Sequence, residues 1–130
     1  MRRIVDASAL VDAVLPTTRR DAAHAALAGH ELWAPAILDL EVMSALWRLV
    51  RMGEITPDEA ERGIALLRTA PVHRLDDAAV AVEAWTLRES LRLSDAFYVA
   101  AARLLDADLL TSDARLSRAP ALGVTVVLLR

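Results

Sequence analysis

An α/β fold, with a parallel sheet covered by helices on both faces, is what this chain predicts. Three features say so. Short apolar runs rich in Val and Leu alternate with longer helix-like segments from one end of the chain to the other. Those runs are continuous, not broken by a polar residue at every second position, which is the pattern of strands buried on both faces. The 130 residues also contain no internal repeat, low-complexity tract or linker, so the chain reads as one domain spanning 1–130.

Taken in order, Ile4-Val5 predicts a short buried strand, and Ala7 to Leu15 a helix stopped near Pro16. Thr17 or Thr18 can cap a second helix running through the alanines to about Ala28, with Gly29 ending it. Leu32-Trp33-Ala34 predicts a second strand. From Pro35, a residue suited to a first helical turn, the chain is apolar nearly all round to Met52, and Gly53 closes the segment. A helix of that kind is either deeply buried or hides one side in a partner, and a homodimer is expected. Thr56-Pro57-Asp58-Glu59 is a strong helix start: a cap, a proline at the first position and a capping-box acid three residues on. That helix ends before Pro71.

Val72 to Leu75 predicts a third strand, and Asp76 or Asp77 opens a helix to about Leu91. Ser94 is expected to cap the next helix, through Leu105. Asp108 to Thr111 predicts a fourth strand, a short helix follows Asp113, and Val124 to Leu129 predicts a fifth strand.

Composition narrows the function. All 15 basic residues are arginine, and the chain has no lysine, asparagine, glutamine or cysteine. Disulfides, thiolate metal sites and cysteine nucleophiles are therefore excluded. No stretch approaches the ~20 apolar residues of a membrane span. Asp6 cuts the opening apolar run far short of a signal-peptide core, which makes the cytoplasm the expected compartment. A net charge of −3 argues against a protein that grips nucleic acid mainly by bulk electrostatics. It leaves a nuclease open, because acids concentrated in an active site weigh on the total.

Four carboxylates stand out: Asp6 after the first strand, Glu41 early in the long apolar helix, Asp95 at the start of another, and Asp113 after Leu109-Leu110-Thr111-Ser112. In an open α/β sheet the carboxyl ends of the strands line one crevice where ligands bind. Two carboxylates about 5 Å apart repel by roughly 3 kcal/mol at an effective dielectric near 20. Such a cluster persists only if the groups protonate or a cation neutralises them. A hard divalent metal ion is the simplest cation, and it points to a metal-dependent hydrolase.

Each acid also has a local explanation. Asp6 and Asp113 can cap the helices that follow them. Asp95 favours the helix dipole in a first turn that Ser94 already caps. Glu41 is harder to dismiss, because a buried glutamate without a partner is costly. Ser8, Thr111 and Ser112 lie beside the acids, where their hydroxyls either hold a water and orient a carboxylate or serve as local caps. Arg115 can meet a phosphate or form a structural ion pair. Asp12 is expected at the surface or behind the site, Asp39 pointing away from Glu41 into solvent, and Asp106-Ala107-Asp108 in a turn at the wrong sheet edge. The three histidines show no ligand spacing, and Trp33, Trp47 and Trp85 are expected in the core or an interface.

Four segments together resemble a known family. Val5-Asp6-Ala7-Ser8-Ala9-Leu10, then Ala34-Pro35 followed by Leu40-Glu41-Val42, then Leu93-Ser94-Asp95-Ala96-Phe97-Tyr98-Val99-Ala100, and Leu110-Thr111-Ser112-Asp113-Ala114-Arg115-Leu116 are similar to the motifs of PIN-domain ribonucleases. Within that family they resemble the VapC-type toxins of bacterial toxin–antitoxin pairs. The resemblance implies a three-layer α/β/α domain with a central parallel sheet of order 3-2-1-4-5. It carries a Mg²⁺- or Mn²⁺-binding acidic set onto Asp6, Glu41, Asp95 and Asp113, with Ser8 and Thr111 in supporting positions. It also implies an endoribonuclease that leaves a 5′-phosphate and is held inactive by a cognate VapB-type antitoxin, for which the apolar helix from Pro35 offers a surface. A DNA-directed nuclease and a non-catalytic PIN-like binding module are the alternatives. A phosphoacceptor receiver domain is excluded by the lack of lysine, and a haloacid-dehalogenase-type phosphatase by Ser8 where a second aspartate is required.

Overall fold

A five-stranded sheet, parallel throughout, organises the chain in the order β3-β2-β1-β4-β5. The structure is a computed structural model that describes residues 1–119 and 122–130. Its elements are β1 (Arg2–Val5), α1 (Ala7–Val14), α2 (Arg20–Leu27), β2 (Glu31–Pro35), α3 (Ile37–Arg51) and α4 (Pro57–Thr69). There follow β3 (Val72–Leu75), α5 (Asp77–Trp85), α6 (Leu93–Leu105), β4 (Asp108–Thr111), α7 (Ala114–Ser117) and β5 (Val126–Leu128).

Successive strand residues point to opposite faces, and both Ile4 and Val5 of β1 and both Leu109 and Leu110 of β4 are fully buried. Helices therefore cover the sheet on both sides, giving the three layers. One layer is held close by small residues: Ala96, Ala100, Ala101 and Ala102 are buried where α6 lies on β1, β2 and β4, and α5 packs against α6. In the other, α1, α3 and α4 pack on one another through Leu10, Val14, Leu38, Val42, Leu46 and Leu67. The register pairs Val5 with Leu110, and the Asp6 N–H continues the ladder by donating to the Leu110 carbonyl (3.1 Å). Arg3 ties the central strands at their other end. Its guanidinium forks onto Asp108 at 2.9 Å through both Nε and Nη2, and donates to the Ala26 carbonyl at 2.7 Å.

Several helix ends differ from the sequence expectation, each for an identifiable reason. Pro35 closes β2 instead of opening α3, because the Ala36 N–H still donates across the sheet to the Leu75 carbonyl. The exposed start of α3 is capped from a distance, the Ile37 N–H donating to Asp77 Oδ1 (3.1 Å). Neither Thr17 nor Thr18 caps α2: Thr17 Oγ1 accepts from the Arg19 N–H in the preceding turn, and the helix starts at Arg20 without a side-chain cap. Ser94 lies inside α6, since the Ala96 N–H already donates to the Arg92 carbonyl. The helix expected to reach Leu91 stops at Trp85, where backbone bonds tighten to three-residue turns at Leu87, Arg88 and Ser90. The expected capping box is present, Thr56 and Glu59 each bonding the other's backbone N–H at 3.1 Å.

Candidate active site

The β1–α1 and β4–α7 junctions meet at the carboxyl edge of the sheet, because β1 and β4 are neighbours. Asp6 caps α1 and also faces a cavity of about 400 Å³ lined by Glu41, Asp95 and Asp113. The local reading of Asp6 as a helix cap holds, and the capping residue also lines the cavity. Its Oδ1 accepts from the Ala9 N–H (3.0 Å) and from Ser8 Oγ (2.7 Å), and its Oδ2 accepts from Thr111 Oγ1 (2.5 Å). Only 6% of the residue is exposed. Burial outweighs these three hydrogen bonds, with Asp95 adding repulsion, and the carboxyl is pushed up from its ordinary 3.8 to about 6.

Glu41 projects from α3 and has the partner that the sequence left unassigned. Tyr98 Oη donates to Glu41 Oε1 at 2.6 Å from the middle of α6. The Tyr98 hydroxyl is pushed upward by burial and then by the Glu41 carboxylate, so it stays protonated and acts purely as a donor. Tyr98 follows Asp95 by three residues on one helix, a spacing that places both on one face; that was the available signal. Arg48 and Arg92 also line the cavity and had no role from sequence.

One cation, Arg115, bridges Asp95 and Asp113. Arg115 Nη2 donates to Asp95 Oδ2 (3.1 Å) and to Asp113 Oδ2 (2.9 Å), and Arg92 Nε lies 3.5 Å from the same Asp95 oxygen. Asp113 also caps α7, its Oδ1 accepting from the Arg115 N–H (2.9 Å). Burial pushes the Asp113 carboxyl up, but the bonds and charge of Arg115 win and hold it below its ordinary value. Of the two readings for Arg115, the ion pair is the one seen.

Hydroxyls behind the acids fix the loop. Ser8 Oγ accepts from the Ser112 N–H (2.9 Å) and lies 3.2 Å from Thr111 Oγ1, which in turn accepts from the Asp113 N–H (3.0 Å). Ser112 turns its own hydroxyl to Asp12 Oδ2 (2.7 Å), which makes Asp12 a residue behind the site, as expected, and removes Ser112 Oγ from the acids. Asp39, expected to be solvated, is instead forked by Arg74 at 2.8 and 3.0 Å, because β3 pairs beside β2. Trp47 and Trp85 lie outside the core of this chain, more than half exposed, each beneath an arginine, Arg51 and Arg88 respectively. His24 bonds the Ala13 carbonyl, and His73 stacks on Trp33.

Among the described residues, no three carboxylates or histidines already stand as a metal cage. The donor chemistry still fits a hard divalent cation. Four carboxylates and the Ser8 and Ser94 hydroxyls line one cavity without histidine, and oxygen-only sets are what Mg²⁺ and Mn²⁺ take. The Arg115 guanidinium across Asp95 and Asp113 marks where positive charge is wanted.

The PIN domain family model matches residues 3–122. The chain is 43% identical to ribonuclease VapC3 of Mycobacterium tuberculosis over 117 residues, covering 89% of this chain and 85% of that one. It is 36% identical to ribonuclease VapC1 of the same organism over 129 residues, or 98% and 97% of the two chains. In structure it is similar to VapBC2 from Rickettsia felis, solved bound to a promoter DNA fragment, with a TM-score of 0.71 at 13% identity and full coverage of both chains, a likeness of fold alone. On the family match and the identity to the ribonucleases over nearly the whole chain, this protein belongs to the PIN-domain family, among its VapC members.

Proposed function

We propose that the chain is a metal-dependent endoribonuclease, the toxin of a VapBC-type pair, with Asp6, Glu41, Asp95 and Asp113 as its catalytic and metal-holding residues. One observation carries this reading: four carboxylates from segments far apart in sequence line a single cavity at the carboxyl edge of the sheet. The kinship with VapC ribonucleases supports RNA as the substrate.

Asp6, Glu41, Asp95 and Asp113 would hold a Mg²⁺ or Mn²⁺ ion, which would supply Lewis acidity and activate water for attack on a phosphodiester. The residues supply the rest. Asp6 and Asp95 are the principal ligands, Asp6 being fixed in one rotamer by Ser8, Thr111 and the Ala9 N–H. Glu41, oriented by Tyr98, and Asp113, held by its own cap, would bind a second ion or position water. Thr111 and Ser8 keep the two junctions in register, and Ser112 supports them from behind. Arg115, seen paired with Asp95 and Asp113, would have to leave them to provide a forked contact for a phosphate.

A VapB-type antitoxin is the partner this reading brings. The face of α3 that carries Leu40, Met43 and Trp47, all exposed, offers it or a homodimer mate an apolar surface. A chain that stays monomeric in solution would remove the dimer. No described helix is long and apolar enough to cross a membrane, and the cytoplasm, where RNA is met, is the compartment we assign.

The test offers single-stranded RNA and DNA under the same conditions with Mg²⁺, Mn²⁺ or chelator. Cleavage of RNA alone, lost with chelator and in Asp6→Asn, is expected. Equal activity in the variant would overturn the assignment. DNA cleavage would redirect it, and inertness toward both would leave a binding module.

A further inference from the structure

Arg115 is the only side chain seen to bridge two of the cavity's acids among the described residues, and its place has a consequence if the metal-dependent reading holds. Asp95 and Asp113 are set by the fold, one in the first turn of α6 and the other as the cap of α7. Their side chains are 17% and 30% exposed, whereas that of Arg115 is 52% exposed. The Asp113 carboxylate is also held by its cap on the Arg115 N–H, whereas the guanidinium is held only by the two acids. A divalent ion can reach both carboxylate oxygens that Arg115 now uses only by displacing it. Exposed ion pairs are weak, and a doubly charged ion with oxygen ligands outcompetes one guanidinium. The displaced guanidinium stays tethered beside Asp95 in the adjoining pocket that it lines with Arg92, its fork of N–H donors free, a geometry that matches phosphate.

We propose that Arg115 is an exchangeable counter-cation: it neutralises Asp95 and Asp113 before the metal arrives, and once displaced it turns to a phosphate of the RNA strand. Metal binding and RNA binding are then coupled through one side chain, and the coupling is reciprocal. Arg115 acts on the metal through the two acids and is in that respect a positioning residue. Arg92 makes the natural control, because it lies near the same Asp95 oxygen without bridging to Asp113.

The experiment compares wild type, Arg115→Gln, Arg115→Lys and Arg92→Gln. Mn²⁺ binding is measured calorimetrically without RNA, then KM and kcat on single-stranded RNA at saturating Mn²⁺. Arg115→Gln is expected to bind Mn²⁺ about fivefold tighter, the order set by releasing two exposed pairs, and to raise KM more than it lowers kcat. Arg115→Lys restores the charge without the fork, so Mn²⁺ affinity returns toward wild type while KM stays high. Unchanged Mn²⁺ affinity in Arg115→Gln overturns the exchange. So does an equal gain in Arg92→Gln, which would mean simple loss of charge, or an unmoved KM. A wild-type protein that neither binds Mn²⁺ nor cuts RNA would instead refute the metal-dependent reading, and this inference with it.

Discussion

Asp6→Asn should make the metal-free protein more stable at neutral pH while removing its activity. The carboxyl titrates near about 6 instead of 3.8 because the fold buries it. For a carboxyl raised in this way the folded state binds the proton more tightly than the unfolded chain does. Stability is therefore full below about pH 4, is lost as pH rises through about 6, and stays lost above it. The interval corresponds to roughly 3 kcal/mol by the usual conversion, an upper figure once relaxation and water entry are allowed. Asparagine imitates the protonated acid. It caps a helix as well as aspartate does, so its Oδ1 can keep the Ala9 N–H. The Thr111 hydroxyl need only rotate to accept from the new amide. Thermal melts of both proteins in chelator, from pH 4 to 8, are the assay. We expect Asp6→Asn to melt about 3–10 °C higher at pH 7.5 for a gain of roughly 1–3 kcal/mol, with the two curves converging near pH 4. Added Mn²⁺ should then stabilise wild type and leave the variant unmoved. An equal or lower melting temperature for the variant at pH 7.5 would refute the claim that burying the ionised Asp6 carboxylate costs this fold stability.

Two further outcomes test the packing around it. Tyr98→Phe keeps the buried ring and deletes the donor to Glu41; we expect a loss of about 1 kcal/mol in denaturant titration and about tenfold in RNA cleavage, with the far-ultraviolet spectrum unchanged. Gly63 lies inside α4, where an added Cβ meets Leu15, Leu46 and Val14 at 3.5 Å, an ordinary contact. Gly63→Ala should therefore raise stability by about 0.5–1 kcal/mol, whereas Gly63→Leu should lower it by roughly 1–3 kcal/mol by overpacking the same pocket.

The sequence alone determined the alternation of strands and helices, the parallel sheet, the Thr56–Glu59 box and the placing of Asp6 and Asp113 at strand ends. These are local matters: a run of apolar residues, a proline, a cap acid three positions on. It misjudged Pro35, because a residue suited to a helix start is also tolerated at the end of a strand and the neighbouring strand decides, and it misplaced Ser94 and the end of α5, where backbone hydrogen bonds that no side chain announces set the boundary. Only the tertiary structure decided how the site is wired. Tyr98 reaches Glu41 across 57 residues and Thr111 reaches Asp6 across 105. Asp77 caps α3 from another helix, Arg74 takes Asp39, and Arg115 neutralises two acids at once. Such contacts require strand order and the close approach of packed layers, which no periodicity within a single segment encodes.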